Sequence, residues 1–424
     1  MSQADKSHKE LKKTVCSRID ALEGELIDVS HAIHAKPELA FEEHFAAGLL
    51  ADKAEQHGLS LTRNACGLDT AFIGEFGTGE DKPEIGIISE YDALPGIGHA
   101  CGHNIIAAAG LGASLALAGL SDKLPGRVRY LGTPAEEKGG GKEYMAQQGA
   151  FDGLDAAMMI HPSGINLLTM PCLAMTEVAV TYHGRNAHAA ATPHEGVNAL
   201  DALVTAYQAL AQLRQHIKPS ERIHGIFTEA GQAPNIVPDR AAGTFYVRAD
   251  DGVELAKLKT RVEACLQAGA MSSGCSAEIV WAQVDYLEIK NSWAMAEAYK
   301  TNAETLGLDF FPMESLPPNA AGSTDMGNVS HRVPSIHPLI ACAPPEIVIH
   351  NPEFAHYAGS PSGDKAVLDG AKALAMTALD MMLDTDLQNK TKADFAATAP
   401  QSADSVASAW HHEGAAGLGG CGCS

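Results

Sequence analysis

A loop containing histidine and cysteine carries the clearest chemistry in this chain. The segment His99–His103 reads HACGH, and glycines lie on both sides of it. Alternate residues of an extended loop point the same way, so Cys101 and His103 can face one ion. Thiolate and imidazole groups are ligands of zinc and of neighbouring divalent ions. Asp92, in an acidic turn just upstream, adds a carboxylate. This combination predicts a metal site that activates water.

Two adjacent carboxylates, Glu136 and Glu137, follow a predicted strand and precede three glycines. Neighbouring side chains at a strand end point in different directions, so one can bind metal while the other acts on the substrate water as a base. His161 ends another predicted strand, and His350 lies in a later loop. Either histidine alone is more often structural, but together they complete a ligand set drawn from separated segments.

The order of predicted elements indicates where these residues lie. Strands and helices alternate in the first part of the chain, which indicates an α/β sheet with parallel strands and a site at their carboxyl ends. From about residue 176 the order becomes β-α-β-β-α-β, the ferredoxin-like arrangement. The sequence predicts a discontinuous catalytic domain of residues 1–175 and 289–386, an inserted domain of residues 176–288, and a weakly ordered tail of residues 387–424.

The inserted domain has polar residues of its own. Arg248 ends a predicted strand, where its guanidinium can bind a carboxylate through two hydrogen bonds. His188 and Asn235 lie in predicted loops, and either side chain can donate a hydrogen bond to a developing oxyanion. For each of the three, a surface position or a loop hydrogen bond is an equally good interpretation.

Composition narrows the classes of function. A chain of 424 residues exceeds the usual size of one hydrophobic core, which favours two domains. The formal net charge of −22 argues against nucleic acid and anionic membranes as partners. Nine scattered cysteines and a polar N-terminus without a signal peptide predict a cytoplasmic protein. The chain shows no glycine-rich phosphate-binding motif, which argues against a nucleotide cofactor.

Two other classes of function remain open. A thiol hydrolase would use Cys101 as the nucleophile and His103 as the base, but their spacing is awkward for that pair. It would also leave Glu137 and His350 without a role. A catalytically silent binding protein would be expected to lack the base or a ligand, and every expected position is filled here.

The motifs together resemble a known family, the aminoacylase and carboxypeptidase-G family of metallopeptidases (metallopeptidase family 20, amidohydrolase branch). The forms SEYDALPGIGHACGHN and TPAEEKGGGK look most like the dipeptidase group that includes β-alanyl-lysine dipeptidase and Xaa-Arg dipeptidase, with p-aminobenzoyl-glutamate hydrolase subunits as close relatives. The resembling segments cover most of the chain in order: His34–Glu43, Ser89–Asn104, Gly132–Lys142, Ile160–Ser163, Tyr182–Leu200, Ala233–Arg248, Gly322–Asn328 and His350–Phe354.

This resemblance implies a zinc-peptidase-like catalytic domain, with a central mixed sheet flanked by helices, and an inserted ferredoxin-like lid and dimerisation domain. It also implies two divalent metal ions per subunit, with zinc expected and manganese or cobalt as alternatives. By position, Cys101 would bridge the ions. His103 and His161 would hold one ion, and Glu137 and His350 the other. The wider family usually has a carboxylate at the bridging position.

The resemblance implies roles for the remaining candidates as well. Glu136 would be the general base and acid, and Asp92 would lie beside the ligands. His188 would reach into the site of a partner subunit in a homodimer or higher homo-oligomer formed through the inserted domain, whereas Asn235 and Arg248 would bind the substrate near its free carboxylate. The expected reaction is hydrolysis of an amide bond in a small carboxylate-bearing substrate, such as a dipeptide or an N-acyl amino acid. An aryl-amide of the p-aminobenzoyl-glutamate type is the alternative substrate.

Overall fold

The computed structural model describes residues 3–77, 83–124, 126–317 and 321–409. The chain divides into two compact units. The first unit is built from Met1–Pro171 and Ile289–Ser402, and the second from Cys172–Glu288 and the described residues from Ala403 onward. Among the described helices, none has the length and apolar character needed to cross a membrane.

Twelve strands and twelve α-helices make up the described chain. The strands are β1 (Leu61–Arg63), β2 (Phe72–Gly77), β3 (Glu84–Glu90), β4 (Arg127–Thr133), β5 (Ala156–Met158), β6 (His161–Ser163), β7 (Ala174–His183), β8 (Arg222–Glu229), β9 (Arg240–Ala249), β10 (Ser276–Trp281), β11 (Ser335–Ile336) and β12 (Leu339–Ala341). The helices are α1 (Gln3–Ala21), α2 (Glu23–Ala35), α3 (His44–Gln56), α4 (His103–Ala118), α5 (Gly141–Gln147), α6 (Ala199–Leu213), α7 (Gly252–Ser273), α8 (Trp293–Glu304), α9 (Met326–Ser330), α10 (Pro352–Ala358), α11 (Pro361–Leu383) and α12 (Thr385–Ala409).

The first unit has a six-stranded sheet in the order β1-β2-β4-β3-β5-β11. Strand β3 runs parallel to β4 and β5, and β5 runs parallel to β11, whereas β1 and β2 pair antiparallel at one edge. All of β3 is buried, as expected for a parallel strand covered on both faces. The predicted α/β fold with a central mixed sheet is therefore confirmed. The next strands along the chain, β6 after β5 and β12 after β11, also pair in parallel, as a separate two-stranded sheet.

Helix α4 is the element that carries the predicted metal loop, and it is buried on all sides from His103 to Leu117. Its sequence is apolar around the whole helix, which is typical of a helix inside a core. The helix lies very close to β3, because a Cβ atom on Gly110 would lie 2.8 Å from the main-chain oxygen of Ile88. Glycine thus lets the helix approach the strand that leads into the site.

The second unit contains a four-stranded antiparallel sheet in the order β10-β7-β9-β8. With α6 after β7 and α7 after β9, this is the β-α-β-β-α-β order predicted from the sequence. Alternate residues of β7 and β9 are buried, and they form a core with the apolar side chains of α6 and α7. Its use as a lid and dimerisation domain stays a prediction.

The predicted weak order of the C-terminal tail is wrong for residues 387–409, because these form most of α12. The prediction was based on a composition rich in alanine, serine, threonine and glycine, but alanine also has the strongest preference for helix. Thr391 and Ser405 are completely buried. Residues 410–424 of the predicted tail lie outside the described residues.

We expect Gly110→Ala to lower the free energy of unfolding by roughly 1–3 kcal/mol, because the added methyl group pushes α4 away from the main chain of β3. Gly48→Ala is the matched control in α3, where an added Cβ meets no atom within 4 Å. That change should stabilise the protein by about 0.5–1 kcal/mol through helix propensity. Urea denaturation measures both, and equal midpoints for the two variants would contradict the close packing of α4.

Candidate metal centre and active site

The predicted site residues of the first unit follow strands that end at one edge of the central sheet. Asp92 follows β3, Glu136 and Glu137 follow β4, and His161 follows β5. Because β3 is parallel to both β4 and β5, these carboxyl ends lie side by side. This is the edge where open α/β sheets bind their ligands.

A tight turn at Gly102 places Cys101 and His103. Gly102 has φ 75°, a left-handed conformation that favours glycine. A Cβ atom at this position would lie 2.9 Å from the ring of Pro162, the residue directly after His161. The glycine therefore lets the Cys101 loop lie against the His161 strand, and α4 begins immediately at His103.

Two groups of metal-capable side chains share Cys101. The first group is Cys101, His103 and His161, and the second is Cys101, Glu137 and His350. Within each group the potential ligand atoms lie within 4.8 Å of one another. The first group is buried, whereas the His350 side chain of the second is 56% exposed. The structure thus brings together all five residues predicted as ligands, in two sets that suit two neighbouring divalent ions.

Asp92 connects the two sets. Its Oδ1 atom lies 3.1 Å from Nδ1 of His103, and its Oδ2 atom accepts a hydrogen bond of 2.8 Å from the main-chain N–H of Glu137. A carboxylate on Nδ1 leaves Nε2 of the imidazole to face a metal. Asp92 is fully buried and so fixes both the ring of one predicted ligand and the backbone of another.

Unsatisfied polar atoms indicate that this cluster fits a cation. Within the described part of the chain, Nε2 of His103 and Oε1 of Glu137 are buried without a hydrogen-bond partner. Their separation is 3.7 Å. Burying such groups unpaired costs free energy, and a cation coordinated by both would remove that cost. The donor set of thiol, imidazole and carboxylate matches a divalent transition metal.

The electrostatics of the cluster favour positive charge in the same place. Burial raises the pKa of the Cys101 thiol well above its usual value, and the carboxylates of Glu137 and Glu136 raise it further. Burial would lower the pKa of His103, but Glu90 and Asp92 outweigh this effect and hold it well above its usual value. A bound cation would take the place of these protons, because metal ligation requires thiolate and neutral imidazole.

The same facts argue against the thiol hydrolase. Cys101 is only 4% exposed, and burial favours its protonated form. A neutral buried thiol is a poor nucleophile, since the thiolate is the reactive species.

Glu136 lies beside both sets of predicted ligands. One of its carboxylate oxygens is 3.9 Å from Nε2 of His103. Burial raises the pKa of Glu136 well above its usual value, and the neighbouring charges of Glu90 and Glu137 add to the effect. A carboxyl group that can hold a proton next to a metal site is what a general base and acid requires.

Two residues of the site have strained backbones. Ala135, directly before Glu136, has φ 60°, and His350 has φ 62°. Such conformations cost free energy for residues other than glycine and persist only where the surroundings impose them. For Ala135, the buried carboxylate of Glu43 accepts its main-chain N–H at 2.8 Å. His350 donates its main-chain N–H to the oxygen of Ala100 at 2.9 Å.

The structure adds three charged residues that the sequence analysis did not select. Nζ of Lys142 donates hydrogen bonds of 2.6 Å to Oε2 of Glu90 and to Oδ1 of Asp325. All three side chains are fully buried. Lys142 and Asp325 lie inside motifs quoted above, but a lysine after three glycines is typical of an exposed loop. The signal that could have revealed it is Glu90, a carboxylate that closely follows the apolar run of residues 85–88.

The three candidates of the second unit do not all lie together. His188 and Asn235 are on neighbouring segments, because the N–H of Ala189 donates to the oxygen of Asn235. These segments continue the pairing of β7 with β9 beyond Arg240, the first residue of β9. Arg248 lies near the last residue of the same strand, with its guanidinium 5.2 Å from the Tyr246 ring centre.

This placement limits how Asn235 and Arg248 could bind one substrate. At about 3.4 Å per residue, the ends of β9 lie roughly 25–30 Å apart. One chain therefore cannot bring Asn235 and Arg248 to the same small carboxylate, and a shared substrate needs one of them from a second copy. Sequence reasoning missed this because it depends on the strand register.

Known proteins match this chain over most of its length. The profile of Peptidase family M20/M25/M40 matches residues 86–380. The chain is 40% identical to the Xaa-Arg dipeptidase of Mus musculus over 397 residues, which cover 91% of this chain and 92% of that protein. It is 26% identical to a p-aminobenzoyl-glutamate hydrolase chain of Escherichia coli (strain K12), over 89% of this chain and 93% of that protein.

Solved structures support the fold. A crystal structure of a putative aminohydrolase from methicillin resistant Staphylococcus aureus superposes with a TM-score of 0.71 at 20% identity, covering 88% of this chain and all of that one. The profile match over most of the chain and the 40% identity to the Mus musculus enzyme show that the chain belongs to Peptidase family M20/M25/M40 and is a hydrolase of peptide or amide bonds.

Proposed function

We propose that this hydrolase uses two divalent metal ions to cleave dipeptides or N-acyl amino acids that carry a free carboxylate. The observation that carries the proposal is the pair of ligand sets that share Cys101, with Glu136 beside them. The name of the Mus musculus relative, Xaa-Arg dipeptidase, supports a dipeptide. The name of the Escherichia coli relative supports p-aminobenzoyl-glutamate as the alternative.

The residues present fit the metal ions. Cys101 would contact both ions, His103 and His161 would hold one, and Glu137 and His350 the other. Zinc suits this mixture of sulfur, nitrogen and oxygen donors, and manganese or cobalt are the alternatives. When bound, the ions would lower the pKa of water and polarise the scissile carbonyl.

Glu136 is proposed as the group that moves the proton. It takes a proton from the attacking water and returns it to the nitrogen of the leaving amine. Its raised pKa suits both steps, because the carboxyl group must hold the proton between them. Asp92 keeps the ring of His103 and the backbone of Glu137 in place through its two oxygens.

His188 is proposed as the donor to the oxyanion. The side chain is exposed, and its Nδ1 accepts the main-chain N–H groups of Ala190 and Ala191, each at 3.2 Å. Because Nδ1 is an acceptor, the proton of the neutral ring lies on Nε2. That N–H can donate to the carbonyl oxygen as its negative charge develops.

A second copy of the chain is proposed to supply His188 and Asn235. Strand β8 lies at the edge of the second sheet, and it exposes Ile226 by 67% and Phe227 by 39%. Exposed apolar side chains on an open strand edge favour pairing with another chain. A homodimer formed here would also reconcile Asn235 with Arg248, since the two residues would reach one substrate from different copies.

Glu136→Gln should retain metal but lose turnover by at least about a hundredfold, because the proton acceptor is gone. Glu137→Gln is the matched change on the adjacent ligand, and it should reduce the metal content of the protein. Inductively coupled plasma mass spectrometry and a dipeptide hydrolysis assay measure both. Wild-type turnover in Glu136→Gln would remove Glu136 from the mechanism.

A mixing experiment tests the contribution of the second copy. Glu136→Gln and His188→Ala should each be inactive alone. After unfolding and refolding together, half of the dimers are mixed, and each mixed dimer has one site with both residues intact. Activity should therefore return to about a quarter of wild type for a two-fold symmetric dimer. If mixing restores no activity, His188 acts within its own chain or not at all.

The substrate class is tested by pairing Arg248→Ala with matched substrates. A free-acid dipeptide and its C-terminal amide should differ strongly in kcat/KM for wild type, because only the acid offers a carboxylate to Arg248. In the variant, kcat/KM for the acid should fall by about tenfold or more, the loss expected for a charge-assisted hydrogen bond, while the amide changes little. Equal losses for both would contradict carboxylate recognition. Assays of N-acyl amino acids and p-aminobenzoyl-glutamate beside the dipeptides show which acyl group the enzyme prefers.

A further inference from the structure

Lys142 is a fully buried cation behind the candidate metal centre. Its Nζ contacts Glu90 and Asp325, and its main-chain N–H donates to the second oxygen of Asp325 at 2.9 Å. Taking a lysine and two carboxylates out of water is costly unless they pair closely. None of the proposed catalytic steps uses these three charges, so their burial calls for another explanation.

Glu90 is the member of this triad that approaches the metal centre. One oxygen binds Lys142, and the other lies 3.3 Å from Nε2 of His103. That second oxygen has no hydrogen-bond partner among the described residues, although it is buried. Glu90, His103 and Glu136 even form a third group whose ligand atoms lie within 4.8 Å of one another.

This third group competes with the proposed mechanism. An ion bound by Glu90, His103 and Glu136 would occupy the carboxylate that must accept the water proton. It would also use His103 without Cys101. A carboxylate held by a lysine is a weaker ligand, because the ammonium group neutralises it and fixes its direction.

We propose that Lys142 is a positioning residue that keeps Glu90 from acting as a metal ligand, and so keeps Glu136 available as the base. The inference rests on the proposed metal centre but not on the identity of the substrate. Its geometric basis is that Lys142 holds one Glu90 oxygen while the other faces the same imidazole nitrogen as Glu136 and Glu137.

The test uses the full-length protein loaded with Co²⁺, whose absorption reports the ligands. In wild type, the thiolate of Cys101 should give a sulfur-to-cobalt charge-transfer band. In Lys142→Met, Glu90 becomes free to bind, so this band should weaken. Loss of cobalt to a chelator should become slower by about tenfold or more, because a carboxylate is added and a nearby positive charge is removed. Turnover should fall with little change in KM.

Three further variants separate this role from a structural one. Glu90→Gln alone should keep the cobalt spectrum and metal content, since Glu90 is not a ligand in the wild type. Lys142→Met/Glu90→Gln should recover the wild-type spectrum and chelation rate. Lys259→Met is the matched control: it breaks another largely buried pair, with Asp285 at 2.7 Å in the second unit, and should leave the spectrum unchanged.

Specific outcomes would overturn the proposal. It fails if Glu90→Gln loses metal, because Glu90 would then be a ligand. It fails if Lys142→Met keeps both the spectrum and the chelation rate of wild type. Should Lys142→Met not fold, the double variant decides, and an altered spectrum there would refute the role of Lys142 through Glu90. None of these measurements depends on the identity of the substrate. If the wild-type protein binds no cobalt, the proposed metal centre itself is wrong.

Discussion

Buried carboxylates hold the backbone of the loop that carries Glu136 and Glu137, and the candidate site depends on this constraint. Three main-chain N–H groups, two in this loop and one at the start of α5, each donate to a different buried acid: Ala135 to Glu43, Glu137 to Asp92, and Lys142 to Asp325. A buried carboxylate is stable only when such donors surround it. The loop and the acids therefore stabilise each other, and the loop can keep Ala135 in a strained conformation.

The same acids make the site selective for positive charge. Glu43 shows the strength of the effect, because burial and the charge of Asp92 raise its pKa to about 7. Closer to the predicted ligands, burial and the neighbouring carboxylates raise the pKa of Glu136, and Glu90 and Asp92 hold the pKa of His103 well above its usual value. Divalent ions and one lysine are the charges that can balance such a cluster. Metal binding and the internal ion pair are thus two parts of one electrostatic arrangement.

The position of the candidate site was predictable from the sequence because its polar residues come directly after predicted strands. Cys101, His103 and Glu137 lie in short motifs whose residue types are unusual for a core, and the alternation of strands and helices predicts that they meet. The separation of Asn235 from Arg248 was not predictable in this way, because it depends on the register between β7 and β9. Lys142 was missed because its neighbours in sequence are glycines, whereas its environment is set by Glu90 and by Asp325, which is far away in the chain.

The interrupted layout of the first unit has a consequence for synthesis on the ribosome. The segment Cys172–Glu288 is continuous, whereas the first unit also needs Ile289–Ser402. Chains fold domain by domain as they emerge, so the inserted sheet can close while the larger sheet still lacks β11. Until Ser335 and Ile336 of β11 pair with β5, the edge of β5 that faces away from β3 stays unpaired. A nascent chain of this protein therefore keeps an open strand edge until late in translation, and such an edge can pair with another chain.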